Sequence, residues 1–465
     1  MTAGTTATEL LAEYRAGRIS PVEATTDALA RIDDRNAEVN AFCLVDKEKA
    51  LADAEASAAR WLAGEPKGLL DGVPVSVKDV LLTRGWPTLR GSHSIEKDQR
   101  WDVDSPAVAR LREHNAVIIG KTTTPELGWK GVTDSPLTGV TRNPWDTTKT
   151  AGGSSGGASA AVASGMGTVS LGTDGGGSIR IPASFSGVFG IKPTYGLVPI
   201  WPASPFGTLT HVGPLSWSVA DAALALDVIT GQDVRDWSAG PRPERSFAAA
   251  AATGAASGIA GMRIAFSPTL GHVRVDSEVA ALVADAVKVF AELGALVSVT
   301  DPGFADPVDA FDVLWFSGAA AATAGLTDEQ RERLDPGLRE VSEQGARYTA
   351  VEYLEATATR AALGRTMGEF HEHYDLLITP TTPIPAFEAG VEVPPGSGGT
   401  RWTGWTPFTY PFNMTQQPAA TVPCGFTSAG LPVGLQVVGP RHADARVLAA
   451  CAAFELARPW RGRTP

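Results

Sequence analysis

Two serines and one lysine are the side chains of this 465-residue chain best surrounded for covalent chemistry. Both serines sit in TAGGSSGGASAAVASGMGTVSLGTDGGGSIR, from Thr150 to Arg180, which offers glycine ten times and serine six. Such a composition would ordinarily mark a flexible linker. Here a helical pattern, ASAAVASGM, runs straight into a strand pattern, TVSLGTD, and that regularity argues against one. Nucleotide binding also fails. No GxGxxG opens a helix in a βαβ unit, and Asn115 stands where a P-loop ending in Gly120-Lys121-Thr122 would need glycine.

A serine nucleophile remains, and two positions compete for it. Gly152-Gly153-Ser154-Ser155-Gly156 satisfies the GxSxG elbow, with His373 or His442 in the right chain order to complete a triad. The elbow needs a hydrophobic strand before it, whereas the preceding NPWDTTKTA is polar and turn-like. Ser178 is better served. The strand TVSLGTD leads into Gly175-Gly176-Gly177-Ser178, and SIRIPASFSG then begins a helix. Successive backbone N–H groups in such a turn form an anion-binding nest, with the hydroxyl at its lip. Taken alone, the same residues could be a tight turn capped by serine.

The motifs GGSSGG and GTDGGGSIRIPASFSGVFGIKPTYG, preceded by DGVPVSVKDV, are joined by KTTTPELG, TRNP, VGPLSWSVADAALALDVITG, YDLLITPTTP and PAATVPCGFTSAGLPVGLQVVG. Together they resemble the amidase signature family, from the N-terminal helices nearly to the end of the chain. The resemblance implies an α/β/α sandwich around a central mixed sheet, and hydrolysis of amide C–N bonds through a serine acyl-enzyme. It assigns Ser178 as nucleophile, Ser154 as a bridging serine on a cis peptide bond, and Lys78 as base. It draws the oxyanion hole from the N–H groups of Gly175, Gly176, Gly177 and Ser178, and makes Ser155, Asp174 and Arg180 supports. No metal and no cofactor are implied.

The chemistry is reasonable in its own right. A serine hydroxyl needs an adjacent base, and a desolvated lysine can supply one. Strand alternation puts Val73, Val75 and Val77 on one face and Lys78 on the other, toward a cleft. Two departures from the family pattern stand out. Gly175 replaces a usual Thr or Ile, which predicts a roomier pocket or a more mobile turn, and Ala151 replaces a proline.

For substrate contact the candidates are Trp129, Thr133 and Trp201, with Trp315, Trp402, Trp405 and Phe408 as further aromatic walls or core. Such walls suit a small apolar or aryl amide, anilide or carbamate (urethane), with esters as a further class. The competing readings are the glutaminase subunit of a tRNA-dependent amidotransferase, an α/β-hydrolase esterase, and an inactive binding module. Intact Lys78, Ser154 and Ser178 argue against the last. His371-Glu372-His373 is no metal motif, because an HxH pair on a helix spreads its imidazoles over different faces, and surface histidines are expected.

The elements that must position these residues follow an α/β alternation. Strand patterns occur in VPVSVKDV, AVIIGKT, TVSLGTD, MRIAFSP, ALVSVTD, YDLLITP and GLQVVGP, separated by helical stretches. Two helices open the chain, the second with the capping box Ser20-Pro21-Val22-Glu23 and a buried face of Val22, Leu29 and Ile32. The expected organisation is one domain over 1–465: N-terminal helices to about 65, a catalytic core over 66–245, a low-complexity connector at 246–261, a more helical part over 262–375, and a return to the sheet over 376–465. The connector's small side chains are not expected to anchor a core. A net charge of -12 leaves no basic footprint for nucleic acid or an anionic membrane. Cys43, Cys424 and Cys451 are too scattered for a disulfide framework, and reduced thiols in the cytoplasm are expected. A homodimer is compatible with this reading.

Overall fold

The computed structural model describes residues 4–397 and 399–465. Eleven strands join in one sheet. In chain order they are β1 (Phe42–Val45), β2 (Pro74–Lys78), β3 (Val117–Thr122), β4 (Val169–Asp174), β5 (Phe189–Lys192) and β6 (His211–Ser216), followed by β7 (Arg263–Phe266), β8 (Leu296–Val299), β9 (Leu376–Pro380), β10 (Ala419–Phe426) and β11 (Pro432–Val438). Their spatial order is β1-β3-β2-β4-β6-β5-β10-β11-β9-β7-β8. The pairs β2–β3, β2–β4, β7–β8 and β7–β9 are parallel and the others antiparallel, so the sheet is mixed, as expected.

Alternation along the strands explains why both faces are covered. In β3, Ile118 joins one core with Val75, Val77 and helices 106–113, 219–229, 277–292 and 444–457, while Val117 and Ile119 face another core with helices 21–39 and 47–62. In β9, Leu376 and Ile378 join the first core, and Leu377 meets Met367 and Phe370 of helix 350–373 on the other side. Each of the seven strand patterns read from sequence lies in this sheet. The capping box at Ser20 and Glu23 is formed, with Leu29 and Ile32 buried and Val22 half-buried.

The connector at 246–261 needs correction. Residues Phe247–Ser257 form a helix capped by Ser246, with Phe247, Ala251 and Gly254 buried. Smallness is what anchors it, since a Cβ at Gly254 would lie 2.2 Å from the Ala449 carbonyl oxygen of helix 444–457.

The sheet also sets the site. Strands β2 and β4 are parallel neighbours, with Val75, Ser76 and Val77 opposite Val169, Ser170 and Leu171. Lys78 ends one and Asp174 the other, so both emerge at the same edge, where open α/β sheets place their ligands. Ser76 and Ser170 seal the register beneath them with a buried 2.8 Å hydrogen bond.

Candidate active site

Lys78 is fully buried, and its Nζ has three hydroxyl partners: Ser154 Oγ at 2.6 Å, Thr173 Oγ1 at 2.9 Å and Ser155 Oγ at 3.0 Å. No carboxylate pairs with it among the described residues. Burial therefore drives its pKa well below the ordinary lysine value, with the field of Asp174 opposing the shift. Ser155 Oγ donates to the Thr173 carbonyl (3.1 Å) and also lies 3.2 Å from the Thr173 N–H.

Ser154 follows a cis peptide bond from Gly153. Its loop runs so close to a neighbouring chain segment that a Cβ at Gly153 would lie 2.4 Å from the Val132 carbonyl carbon and oxygen. Close approach is thus one reason for the local glycine density. The loop is tied to the next turn by the Ser155 N–H, which donates to the Ser178 carbonyl at 3.1 Å.

The turn Gly175–Ser178 is organised from below by a buried ion pair. Asp174 receives Arg180 Nε and Nη2, each at 2.9 Å, together with Asn413 Nδ2 at 2.9 Å. Burial pushes its carboxyl up, but Arg180, with Lys192 and Asn413 adding to it, outweighs this and holds it far below the usual carboxylate range. Asp174 also accepts the N–H groups of Gly177 (2.8 Å) and Ile179 (3.1 Å). Gly177, expected to donate to the oxyanion, has its N–H committed here. Those of Gly175, Gly176 and Ser178 have no protein acceptor among the described residues.

A cavity of about 340 Å³ opens over this turn, lined by Ser154, Thr173, Gly175 and Ser178 at its floor. Its walls include Val80, Leu81, Arg90, Leu127, Trp201, Phe206, Trp315 and Ala322.

A family model described as Amidase matches residues 23–448. The chain belongs to the amidase family. An acylamidase of Rhodococcus erythropolis is 38% identical over 99% of this chain and 96% of its own. The A component of a glutamyl-tRNA(Gln) amidotransferase of Gloeobacter violaceus is 36% identical over 96% of this chain and 95% of its own. Among solved structures, a bacterial aryl acylamidase of the amidase signature enzymes superposes with a TM-score of 0.91 at 33% identity, covering 98% of this chain and 97% of that one. The 6-aminohexanoate cyclic dimer hydrolase, solved with substrate, gives 0.89 at 28% identity, with 100% and 99% covered. This amidase is therefore an amidohydrolase on a known scaffold.

The candidate substrate contacts divide. Trp201 and Trp315 line the cavity. Trp129 does not: its ring is fully buried, and a Cβ at Gly337 would lie 2.6 Å from it. Thr133 instead supports the serine loop, donating to the Gly152 carbonyl (2.8 Å) and accepting the Gly156 N–H (3.0 Å). Trp402, Trp405 and Phe408 belong to buried clusters.

The space expected from Gly175 is taken up. A Cβ there would lie 2.6 Å from Trp315 Cζ3, and that indole is fixed by its Nε1–H donating to the Trp129 carbonyl (2.9 Å) and by stacking on Phe206 at 4.0 Å. His373 and His442 are not among the cavity-lining residues. His371 is half-buried rather than superficial, its ring bonded to the Tyr374 carbonyl and Gln417.

Thr173, Phe206 and Arg90 line the cavity and were not among the candidate residues read from the sequence. Thr173 was within reach, since it adjoins Asp174 at the end of a strand already assigned. Phe206 and Arg90 lie in loops whose composition carries no signal.

Proposed function

We propose that this amidase hydrolyses small apolar or aryl amides, anilides and carbamates as a free-standing enzyme, using Ser178, Ser154 and Lys78. The supporting observation is the contact of a desolvated, unpaired Lys78 with Ser154 at the floor of the cavity that Ser178 lines. A neutral Lys78 accepts the Ser154 proton while Ser154 takes that of Ser178. Ser178 Oγ bonds to the carbonyl carbon, and the oxygen that gains the electron pair is held by the N–H groups of Gly175, Gly176 and Ser178. Collapse breaks the C–N bond as the relay returns a proton to the departing amine. Water then adds to the acyl-enzyme, gives its proton to the same relay, and releases the acid and Ser178.

Trp201, Phe206 and Trp315 give the cavity flat apolar walls suited to an aryl group. The acylamidase and aryl acylamidase relatives carry the same suggestion. Cytoplasmic residence is consistent with free cysteines and with the absence of a membrane-length apolar helix among the described residues. The test is hydrolysis of anilides, p-nitrophenyl carbamates, aliphatic amides and glutamine by wild type and Ser178→Ala. Anilide or carbamate turnover lost by at least about a thousandfold in the variant supports the reading. Turnover that survives would remove Ser178 from the nucleophile's role, and glutamine as the best substrate would point to an amidotransferase glutaminase.

A further inference from the structure

Arg90 is the one charged residue among those lining the cavity. Its guanidinium donates to no protein acceptor among the described residues, and its Nε is buried without a partner. Buried donors of this kind are normally satisfied, and a guanidinium is built to meet a carboxylate with two parallel bonds. The acid whose charge acts on it, Asp79, is already engaged. Asp79 pairs with Lys121 Nζ at 2.9 Å, and its other oxygen accepts the Arg90 backbone N–H at 2.8 Å. One carboxylate thus faces two cations, and Lys78, if neutral, adds no further charge.

The backbone holds Arg90 in place at some cost. Its φ is 54°, a left-handed conformation that a residue of this size rarely adopts, and Leu127, which also lines the cavity, has φ 53°. The Leu127 N–H donates to the Arg90 carbonyl at 2.8 Å, locking the two segments together. A strained, pinned residue that presents an unsatisfied cation to a cavity whose other lining residues are all uncharged is placed to receive an anionic group.

We infer that the cavity recognises amides carrying a carboxylate, which Arg90 receives while the aromatic walls hold the apolar part. This rests on the amide-hydrolysis reading of the same cavity. A carboxylate could belong to the acyl part or to the departing amine, so two matched pairs are needed. Butyranilide against N-phenylsuccinamate varies the acyl side, and acetanilide against 4-acetamidobenzoate varies the amine side.

The experiment measures kcat/KM for both pairs with wild type, Arg90→Met and Arg90→Lys, and thermal shifts of the Ser178→Ala protein with the same four compounds, with and without Arg90→Met. Wild type should favour the carboxylated member of at least one pair by about ten- to a hundredfold. Arg90→Met should erase that ratio, and Arg90→Lys should keep part of it, since lysine offers charge without the planar fork. Equal or better use of the neutral member in both pairs would overturn the inference, as would a preference that survives in Arg90→Met. If Arg90→Met does not fold, the wild-type ratios and Arg90→Lys decide in the same way. If no compound is hydrolysed, the amide reading fails on its own. The shifts still judge Arg90, since carboxylate-selective binding lost in Arg90→Met upholds it and unselective binding ends it.

Discussion

Ser155 fixes the direction of the hydrogen bonds around Lys78. Its hydroxyl proton is spent on the Thr173 carbonyl, so toward Lys78 it can only accept. A neutral Lys78 has two protons and one lone pair. With one proton bound to Ser155, the lone pair is free to face Ser154, the shortest of the three contacts at 2.6 Å. Burial lowers the pKa of Lys78, so on the proposed relay, in which the neutral amine is the base, activity should fall as pH drops through that lowered value and the ammonium forms. Lys78→Arg, which keeps a permanent charge, should therefore be inactive across roughly pH 6 to 10, while wild type shows an acid limb. A pH profile of kcat/KM for both proteins checks this, and an active Lys78→Arg would rule out a proton-accepting Lys78. At this scale motifs carried the residues that the structure brings together, Lys78 with Ser154 and Asp174 with Arg180, and Ser178 on the cavity that Ser154 also lines. Trp129 and Thr133 were misplaced because an aromatic ring or a hydroxyl near a motif has no signature separating cavity wall from support.

Helix 247–257 shows what local composition hides. A run of alanine and glycine has no amphipathic stripe to read, yet it can pack backbone to backbone where larger residues cannot. Gly254→Val should push this helix off helix 444–457, destabilising the protein by about 1 to 3 kcal/mol, as overpacked cores do. Thermal melts would record a lower midpoint, and an unchanged midpoint would show that the two helices are free to separate. The strands were legible for the opposite reason. Runs such as AVIIGKT and YDLLITP bury both faces of a covered sheet and stand out as β-branched and apolar. Strand β6, HVGPLS, carries glycine, proline and histidine, and only its antiparallel neighbours β4 and β5 explain it.

Across the whole molecule, helix 219–229 gathers segments distant in sequence. Asp221 accepts the N–H groups of Ala7 (2.7 Å) and Thr8 (3.0 Å), Trp460 Nε1 donates to the Trp217 carbonyl (2.9 Å), and Glu455 caps the Val219 N–H (2.9 Å). Burial raises the Glu455 carboxyl to about 7 and leaves its Oε1 without a hydrogen bond. A raised folded-state pKa gives stability that is complete below the unfolded value near 4.5 and lost as pH rises through about 7. Wild type should therefore melt higher at about pH 5 than at about pH 8, and Glu455→Gln should narrow that gap, which differential scanning calorimetry at the two values would measure. An unaltered gap would place the pH dependence elsewhere. The indole of Trp315, on a helix of the second half of the chain, occupies the volume that a side chain at Gly175 of the first half would fill. Positions 140 residues apart in sequence thus hold a single allotment of space in the cavity that Ser178 lines. In relatives that keep this geometry the two should co-vary, a larger residue at 175 being matched by a smaller one at 315.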